Sequence, residues 1–427
     1  MVLILSGLLV LFMIIGVPIA ISLSMAAIGG LVAGSGTIPL TVISQRLFTA
    51  VDSFPLLAIP FFLLAGELMM VGTMAQRITN FAFACVGWVR AGLAQVSTLA
   101  CMFFAGISGS GAADTVAVGK MMIPVMEKKG YDKGFASATV ATAGTIAVVI
   151  PPSIPMIVYG VTAGVSIGAL FTAGIIPGIL IGLSIMALNY YIARKKGYDK
   201  EKGKFEVVTF RKSLKEGVWA LMLPVIIIVG IRGGVFTPTE SAAIAAAYAL
   251  VVGMFIYKDL KLRDLPEVFM RAAIMTAMVM FIIAGANLFG WLLAAEQVPQ
   301  KLAAWILALT DNKYYILMLI NVVLFIAGCL LNASAAITIL TPLLLPLAIG
   351  VGIDPVFLGL VMVVNLSIGL ITPPVGLNLF IVQGISNISF GHLVRGVLPF
   401  ILVLTIDLLI ITYFPQLSMW LPNLLGP

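Results

Sequence analysis

Apolar positions run in long stretches along the chain, and polar ones gather in short clusters between them. The stretches 166–193 and 272–295 exceed the roughly 20 residues that a helix needs to cross a bilayer. Residues 54–71, 217–235, 238–257 and 393–414 read as further spans. The first 34 residues are apolar throughout but interrupted at Gly16-Val17-Pro18, which fits either one tilted helix or two short crossings. Segment 38–52, with Thr41, Ser44, Gln45 and Arg46, reads as a connecting helix at the interface. Segments 76–89 and 299–311 are also predicted to be interfacial. A Lys-rich hydrophilic loop, 194–216, divides the chain, and 258–271 is a charged connector.

Two stretches break this simple pattern. Residues 91–129 and 314–350 are apolar on both flanks of a small-residue centre, Gly106 to Asp114 in the first and Gly328 to Ser334 in the second. Each flank looks too short to cross, so both are predicted to be re-entrant hairpins with tips buried in protein. Each hairpin precedes a span, 135–160 or 355–382, that carries a proline pair: Pro151-Pro152 and Pro373-Pro374. A proline cannot donate to the carbonyl four residues earlier. The carbonyls of Ala147 and Val148, and of Gly369 and Leu370, are therefore expected to be freed. In hydrocarbon a free carbonyl costs several kcal/mol, so such a break needs protein, water or an ion to meet it.

The halves repeat at an offset of 222 residues. Pro124, Pro151, Pro152 and Pro177 fall on Pro346, Pro373, Pro374 and Pro399, and Asp132 falls on Asp354. Basic residues mark the two halves as inverted. Lys120, Lys128, Lys129 and Lys133 crowd the base of the first hairpin, whereas 342–355 holds no Lys or Arg. By the positive-inside rule the first of these is cytoplasmic and the second external. Walking the spans leaves only Arg46, Arg232, Lys301 and Lys313 of 24 basic residues outside. The fold predicted is an all-α polytopic membrane protein of two inverted-topology repeats, 1–193 and 217–427, joined by the basic cytoplasmic loop. Each repeat has a re-entrant helical hairpin and a Pro-Pro-broken transmembrane helix. An odd number of crossings per half then requires a split near Pro18.

Composition agrees and narrows the function. The chain is 61% hydrophobic and 10% charged. Its net charge of +7 reads as topology information, not as nucleic-acid binding. Cys85, Cys101 and Cys329 have no pairing or metal spacing, and His392 is the sole histidine, which argues against transition-metal and triad chemistry. Residues 111–120 imitate a phosphate loop but have Asp114 and Met121 where Gly and Ser or Thr belong. No cleavable leader or organic cofactor is suggested. Gly30-x-x-x-Gly34 and similar pairs allow close helix packing. Glu67 is read as making a structural hydrogen bond or a partner contact.

The broken spans offer carbonyls at the negative ends of half-helices, which suits Na⁺. One ion is assigned to Ser108, Ser110 and the carbonyls of Ala147, Ile150 and Pro152. Its twin is assigned to Asn332, Gly369, Thr372 and Pro374. The competing account is that Ser or Thr hydroxyls simply re-satisfy a kinked backbone; a repeat-related pair behind polar hairpins favours ions. The hairpin tips also present helix N-termini suited to a carboxylate. Gly109, Ser110, Gly111, Asn332 and Ser334, with Thr145 and Ser367 of the broken spans, are the predicted substrate contacts. Asp114 either acts in the site or caps the second hairpin helix, while Asp132 and Asp354 are expected to be N-caps.

Ile107-Ser108-Gly109-Ser110, Ile123-Pro124-Val125-Met126 with Gly130-Tyr131, Ile150-Pro151-Pro152-Ser153, and Ile371-Thr372-Pro373-Pro374 with Gly376 together resemble the large membrane subunit of a TRAP (tripartite ATP-independent periplasmic) transporter, DctM type. The overall likeness leans toward the sialic-acid members. The resemblance implies a bacterial inner-membrane secondary transporter, not an enzyme, driven by two or more Na⁺ ions. It implies an elevator with a transport domain within 91–193 and 313–414 and a scaffold within 1–75 and 217–295. It further implies a small four-helix membrane subunit and a periplasmic binding protein that delivers an organic acid such as sialic acid or a C4-dicarboxylate. The chain departs from the richer ion sites of the similar divalent-anion/Na⁺ symporters: Leu330 stands opposite Ser108, and Ala147 opposite Gly369. The alternatives are an uncoupled channel or a carboxylate carrier that works without a binding protein.

Overall fold

The computed structural model describes residues 2–33, 39, 41–198 and 204–425; Gly34, Ile38 and the centre of the basic loop, 199–203, lie outside the described residues. Those residues form helices and no strand. The first half contains α1 (Val2–Ile14), α2 (Ile19–Ala33), α3 (Thr41–Thr49), α4 (Ala58–Val71, extended by a 3₁₀ turn from Phe54), α5 (Met74–Val86), α6 (Gly92–Ser108), α7 (Gly111–Lys128), α8 (Lys133–Thr145), α9 (Ile154–Ala163) and α10 (Ile167–Lys196). The second half contains α11 (Val207–Arg232), α12 (Pro238–Val251), α13 (Leu265–Ala295), α14 (Val298–Leu309), α15 (Lys313–Leu330), α16 (Ala333–Gly350), α17 (Pro355–Gly369), α18 (Leu377–Ser386), α19 (Phe390–Tyr413) and α20 (Gln416–Leu425). Eight helical stretches among the described residues are long and apolar enough to cross a membrane.

The repeat register is preserved in the helices. Shifting α7 by 222 residues gives the bounds of α16, and shifting α6, α8 and α9 brings them to within one or two residues of α15, α17 and α18. Local chemistry repeats as well. Asp132 accepts the Phe135 N–H at 3.0 Å, and Asp354 accepts those of Val356 and Phe357 at 2.8 and 3.0 Å, so both are the N-caps their positions suggest. Ser110 and Asn332 cap the second arms of the two hairpins.

Contacts at the ends of the broken spans fix their direction. The Tyr159 hydroxyl, near the end of α9, donates to the Pro355 carbonyl at the start of α17 (2.6 Å). At the other pole, His392 lies 3.5 Å from Asp132 at the start of α8, just after α18 has ended. The first broken span therefore begins where the second finishes, and the two are antiparallel. Packing is reciprocal: α9 lies on α16 of the other half, and α18 lies on α7.

One open boundary is settled, and several others differ from the sequence reading. The apolar N-terminus is two antiparallel helices, turned at Gly16 (φ +80°), with Gly29 and Gly30 against Leu8 and Leu5. The hydrophilic segment 194–216 is helical at both ends, because α10 continues to Lys196 and α11 already starts at Val207. Its polar residues are good helix formers, and Phe205 and Phe210 anchor it on Trp88 and Phe81. Likewise α13 starts at Leu265, inside the expected connector. Both arms of the second hairpin reach 18 apolar residues, longer than expected, yet the tip still stops at a helix break. The C-terminal α20, which packs on α10, has no counterpart in the sequence reading.

Candidate ion and substrate site at the helix breaks

The first break runs from the 3₁₀ turn Ile146–Val148 to Ser153, with a cis peptide between Pro151 and Pro152. Residues 151–160 are all buried. Of the two carbonyls that the prolines free, Val148 is met by the Ser153 hydroxyl at 2.5 Å, so here a side chain does repair the backbone. The carbonyls of Ala147, Ile150 and Pro152 accept no hydrogen bond from any described residue. The first hairpin tip docks on this break. Gly109 (φ +59°) accepts the Ile154 N–H at 3.3 Å, and a Cβ on it would sit 2.7 Å from the Pro152 oxygen, so only glycine fits.

At that tip Ser108 donates to the Asp114 carboxylate at 2.5 Å and accepts the Ser110 N–H at 3.2 Å. Ser110 accepts the Ala113 N–H at 3.4 Å, which makes Ser110 the cap of α7. Asp114 is therefore not the cap, one of its two readings; it is 1% exposed, and its second oxygen has no partner. Gly111 is walled in by the Gly144 carbonyl and the side chains of Leu370 and Val148.

The second break, 370–376, also holds a cis proline pair, but it is repaired differently. The Gly369 carbonyl accepts the Thr372 N–H at 3.1 Å, and the Leu370 carbonyl accepts the Asn378 N–H at 3.0 Å. Both carbonyls expected to be free are thus satisfied by backbone. The Thr372 hydroxyl donates to Ile368 at 2.8 Å. Pro374 and Val375 are exposed. Gly328, not Asn332, closes on this break: a Cβ on Gly369 would lie 2.3 Å from the Gly328 oxygen. Asn332 is exposed and uses its side chain on the Ser334 N–H (2.9 Å). Thr145 and Ser367 are buried, and each hydroxyl donates to its own helix, at Thr142 and Val364 (both 2.7 Å). The structure thus gathers Ser108, Gly109, Ser110 and Pro152 at one place and does not gather Asn332 with Thr372.

Buried amides that the sequence reading passed over tie these parts together. Asn378 is fully buried; its side chain donates to the Ala141 carbonyl of α8 at 2.9 Å, linking the second break to the first span. Asn365 bonds Asn321, which bonds Thr412. In the other half Asn189 joins Thr139 to Thr98. An asparagine in a long apolar run was the available signal, since such groups are buried only when bonded. A cavity of about 180 Å³ separates the first tip from α4 and α13; Gly66, Glu67, Ser108, Asp114 and Met275 are among its lining residues.

Comparison with known proteins agrees with this architecture. Residues 6–417 match the family model described as the tripartite ATP-independent periplasmic transporter, DctM component. The chain is 46% identical over 98% of its length to the isethionate TRAP transporter permease protein DctMQ of Oleidesulfovibrio alaskensis, and spans 66% of that longer protein. It is 45% identical to the C4-dicarboxylate large permease DctM of Pseudomonas aeruginosa, covering 89% of each chain. It is 40% identical to the sialic acid large permease SiaM of Vibrio cholerae, covering 96% and 95%. These identities do not set one substrate group apart. The solved structure of the Alcanivorax borkumensis YdaH transporter shares the fold, with a TM-score of 0.64 at 18% identity over 93% of this chain and 91% of that one. The relatives are permeases and not enzymes, and the chain is a multi-pass protein of the bacterial inner membrane. It belongs to the DctM family of large membrane subunits of tripartite ATP-independent periplasmic transporters.

Proposed function

We propose that this chain is the large subunit of a Na⁺-coupled importer of an organic anion. The observation that carries the Na⁺ reading is the first break. Three carbonyls, of Ala147, Ile150 and Pro152, accept no hydrogen bond from a described residue in a largely buried place, and the hairpin tip that carries Ser108 and Ser110 docks on Pro152 through Gly109. Leaving such groups bare in a membrane interior is costly, and a small hard cation among oxygen ligands removes the cost. A second ion is assigned to the remaining carbonyls of the second break, those of Thr372 and Pro374. The substrate's anionic group would meet the N-termini of α7 and α16, through Gly109, Ser110, Gly111, Asn332 and Ser334, with Thr145 and Ser367 behind them.

Movement follows from how the helices associate. Helices α1, α2, α4, α12 and α13 pack chiefly among themselves, with α11 running between α12 and α5. The hairpins, the broken spans, α10 and α19 likewise pack chiefly among themselves. The second group is the proposed elevator, sliding against the first along α4, α13 and α16. Relatives named for C4-dicarboxylate, sialic acid and isethionate support a carboxylate or sulfonate substrate. They also support a small membrane subunit and a periplasmic binding protein as partners. Proteoliposomes holding both membrane subunits, supplied with the binding protein and labelled succinate, N-acetylneuraminate or isethionate, test this. Accumulation is expected only with an inward Na⁺ gradient and the binding protein. Leak independent of the gradient would indicate a pore, and accumulation without the binding protein an autonomous carrier.

A further inference from the structure

A second cavity, about 280 Å³, opens between the two helix groups at the pole where α9 ends. One wall is Arg46 of α3 with Asn287 and Trp291 of α13; the other includes Thr162 of α9 and Thr338 of α16. None of the described residues that line it is acidic. The Arg46 guanidinium lies over the Trp291 ring, 4.8 Å from its centroid, a cation–π contact. Arg77 makes the informative contrast. It is stacked in the same way on Tyr257 (4.1 Å), but its donors are spent on Thr73 (3.0 Å) and the Glu216 carbonyl (3.4 Å). The Arg46 side chain donates to no described residue and has no carboxylate within ion-pair distance among them.

A guanidinium fork held against Trp291, with no hydrogen-bond or ion-pair partner and no acidic cavity neighbour among the described residues, matches the geometry of an oxyanion. We propose that Arg46, with the Asn287 amide, binds the carboxylate or sulfonate head group of the transported anion, as an entry station separate from the helix breaks. The cavity suits that task. Its far wall includes Thr338, less than two turns along α16 from the tip residue Asn332, so an anion leaving Arg46 moves toward the hairpin tips. By the positive-inside reading this pole is external, the side from which a periplasmic protein would deliver. Arg46 is then one of the few basic residues outside because it is used there.

The entry role rests on the transport reading, but occupancy of the site does not, and two measurements separate them. In the first, purified wild-type protein is modified with phenylglyoxal. Succinate, N-acetylneuraminate or isethionate is expected to slow modification of Arg46 severalfold, whereas neutral erythritol leaves it unchanged and Arg395, at the opposite pole, serves as the control. Equal rates with all three anions would overturn the proposal, whatever the protein transports. In the second, Arg46→Met keeps the stem on Trp291 and removes the charge. For the anion that the wild type accumulates, half-saturation should rise about tenfold, the scale of a lost charge-assisted pair. Na⁺ half-activation should stay put, and Arg46→Lys should restore most of the loss. Unchanged half-saturation in Arg46→Met would remove Arg46 from the path. A wild type that accumulates none of the three anions would count against the transport reading, and the footprint would still decide the site.

Discussion

The two helix breaks carry the same proline pair in the same register, yet they end up in different chemical states. In the first, Val148 is met by Ser153 while Ala147, Ile150 and Pro152 keep bare carbonyls in a largely buried place. In the second, backbone N–H groups of Thr372 and Asn378 answer both freed carbonyls, and Pro374 faces open space. The reason lies in the few residues just after each proline pair. Beyond Pro152 the chain enters α9 at once through the Ser153 cap, so no backbone N–H turns back toward Ala147. Beyond Pro374 the chain makes an extra turn at Gly376 (φ +55°), which brings the Asn378 N–H onto Leu370. A missing backbone donor thus creates a demand for an oxygen partner, and the neighbouring residues decide how much of that demand is left for an ion.

The largest effect expected from this contrast is at Gly109. Alanine there must adopt a positive φ and push against the Pro152 oxygen, a strain of about 2–4 kcal/mol. Gly130→Ala has the same φ problem (+83°) but nothing within 4 Å, and so isolates the backbone part. Na⁺-driven uptake should be nearly lost in Gly109→Ala and largely kept in Gly130→Ala. Similar uptake in the two variants would mean that the tip does not have to touch the first break.

Ser108→Ala comes next. It leaves both Asp114 oxygens buried without a partner, at about 2–3 kcal/mol, which thermal unfolding of the purified protein would register. Half-activation by Na⁺ should shift more than in Thr372→Ala, whose hydroxyl serves only the Ile368 carbonyl of its own helix. Equal shifts in the two variants would say that the two breaks are functionally alike in spite of their hydrogen bonding. Asn378→Leu should cost about 1–2 kcal/mol through the Ala141 carbonyl, with the backbone repair at Leu370 intact.

Much of this architecture is legible from sequence for one reason: prolines, and aspartates after glycine, leave marks that hydrophobic drift cannot erase. The offset of 222, the hairpin tips, the breaks and the caps at Asp132 and Asp354 all come from such residues. What stays hidden depends on three dimensions. Nothing local says that Gly328, and not Asn332, will close on Gly369, because that is decided by how α15 crosses α17. The fate of Leu370 depends on Asn378, eight residues downstream, through a turn with no fixed sequence pattern. The helical ends of 194–216 are obscured by charge, since a polar stretch reads as loop until an aromatic neighbour such as Phe81 is in view.

The smallest expected effect tests whether repeated chemistry must mean repeated energetics. Asp132 and Asp354 cap equivalent helices, Asp132 by accepting the Phe135 N–H and Asp354 by accepting those of Val356 and Phe357. Asparagine caps about as well as aspartate, so Asp354→Asn should change stability by only a few tenths of a kcal/mol, roughly the noise of the measurement. Asp132 has acquired neighbours that Asp354 lacks among the described residues: Lys196 at 3.6 Å and His392 at 3.5 Å, both about half exposed. Exposed pairs of this kind contribute about 0–1 kcal/mol, less at high salt. Asp132→Asn should therefore be the costlier of the two, by a difference that shrinks as NaCl is raised during thermal unfolding. A gap that persists in high salt would place the difference in the cap itself, and would undo the assumption that each half holds its broken span in the same way.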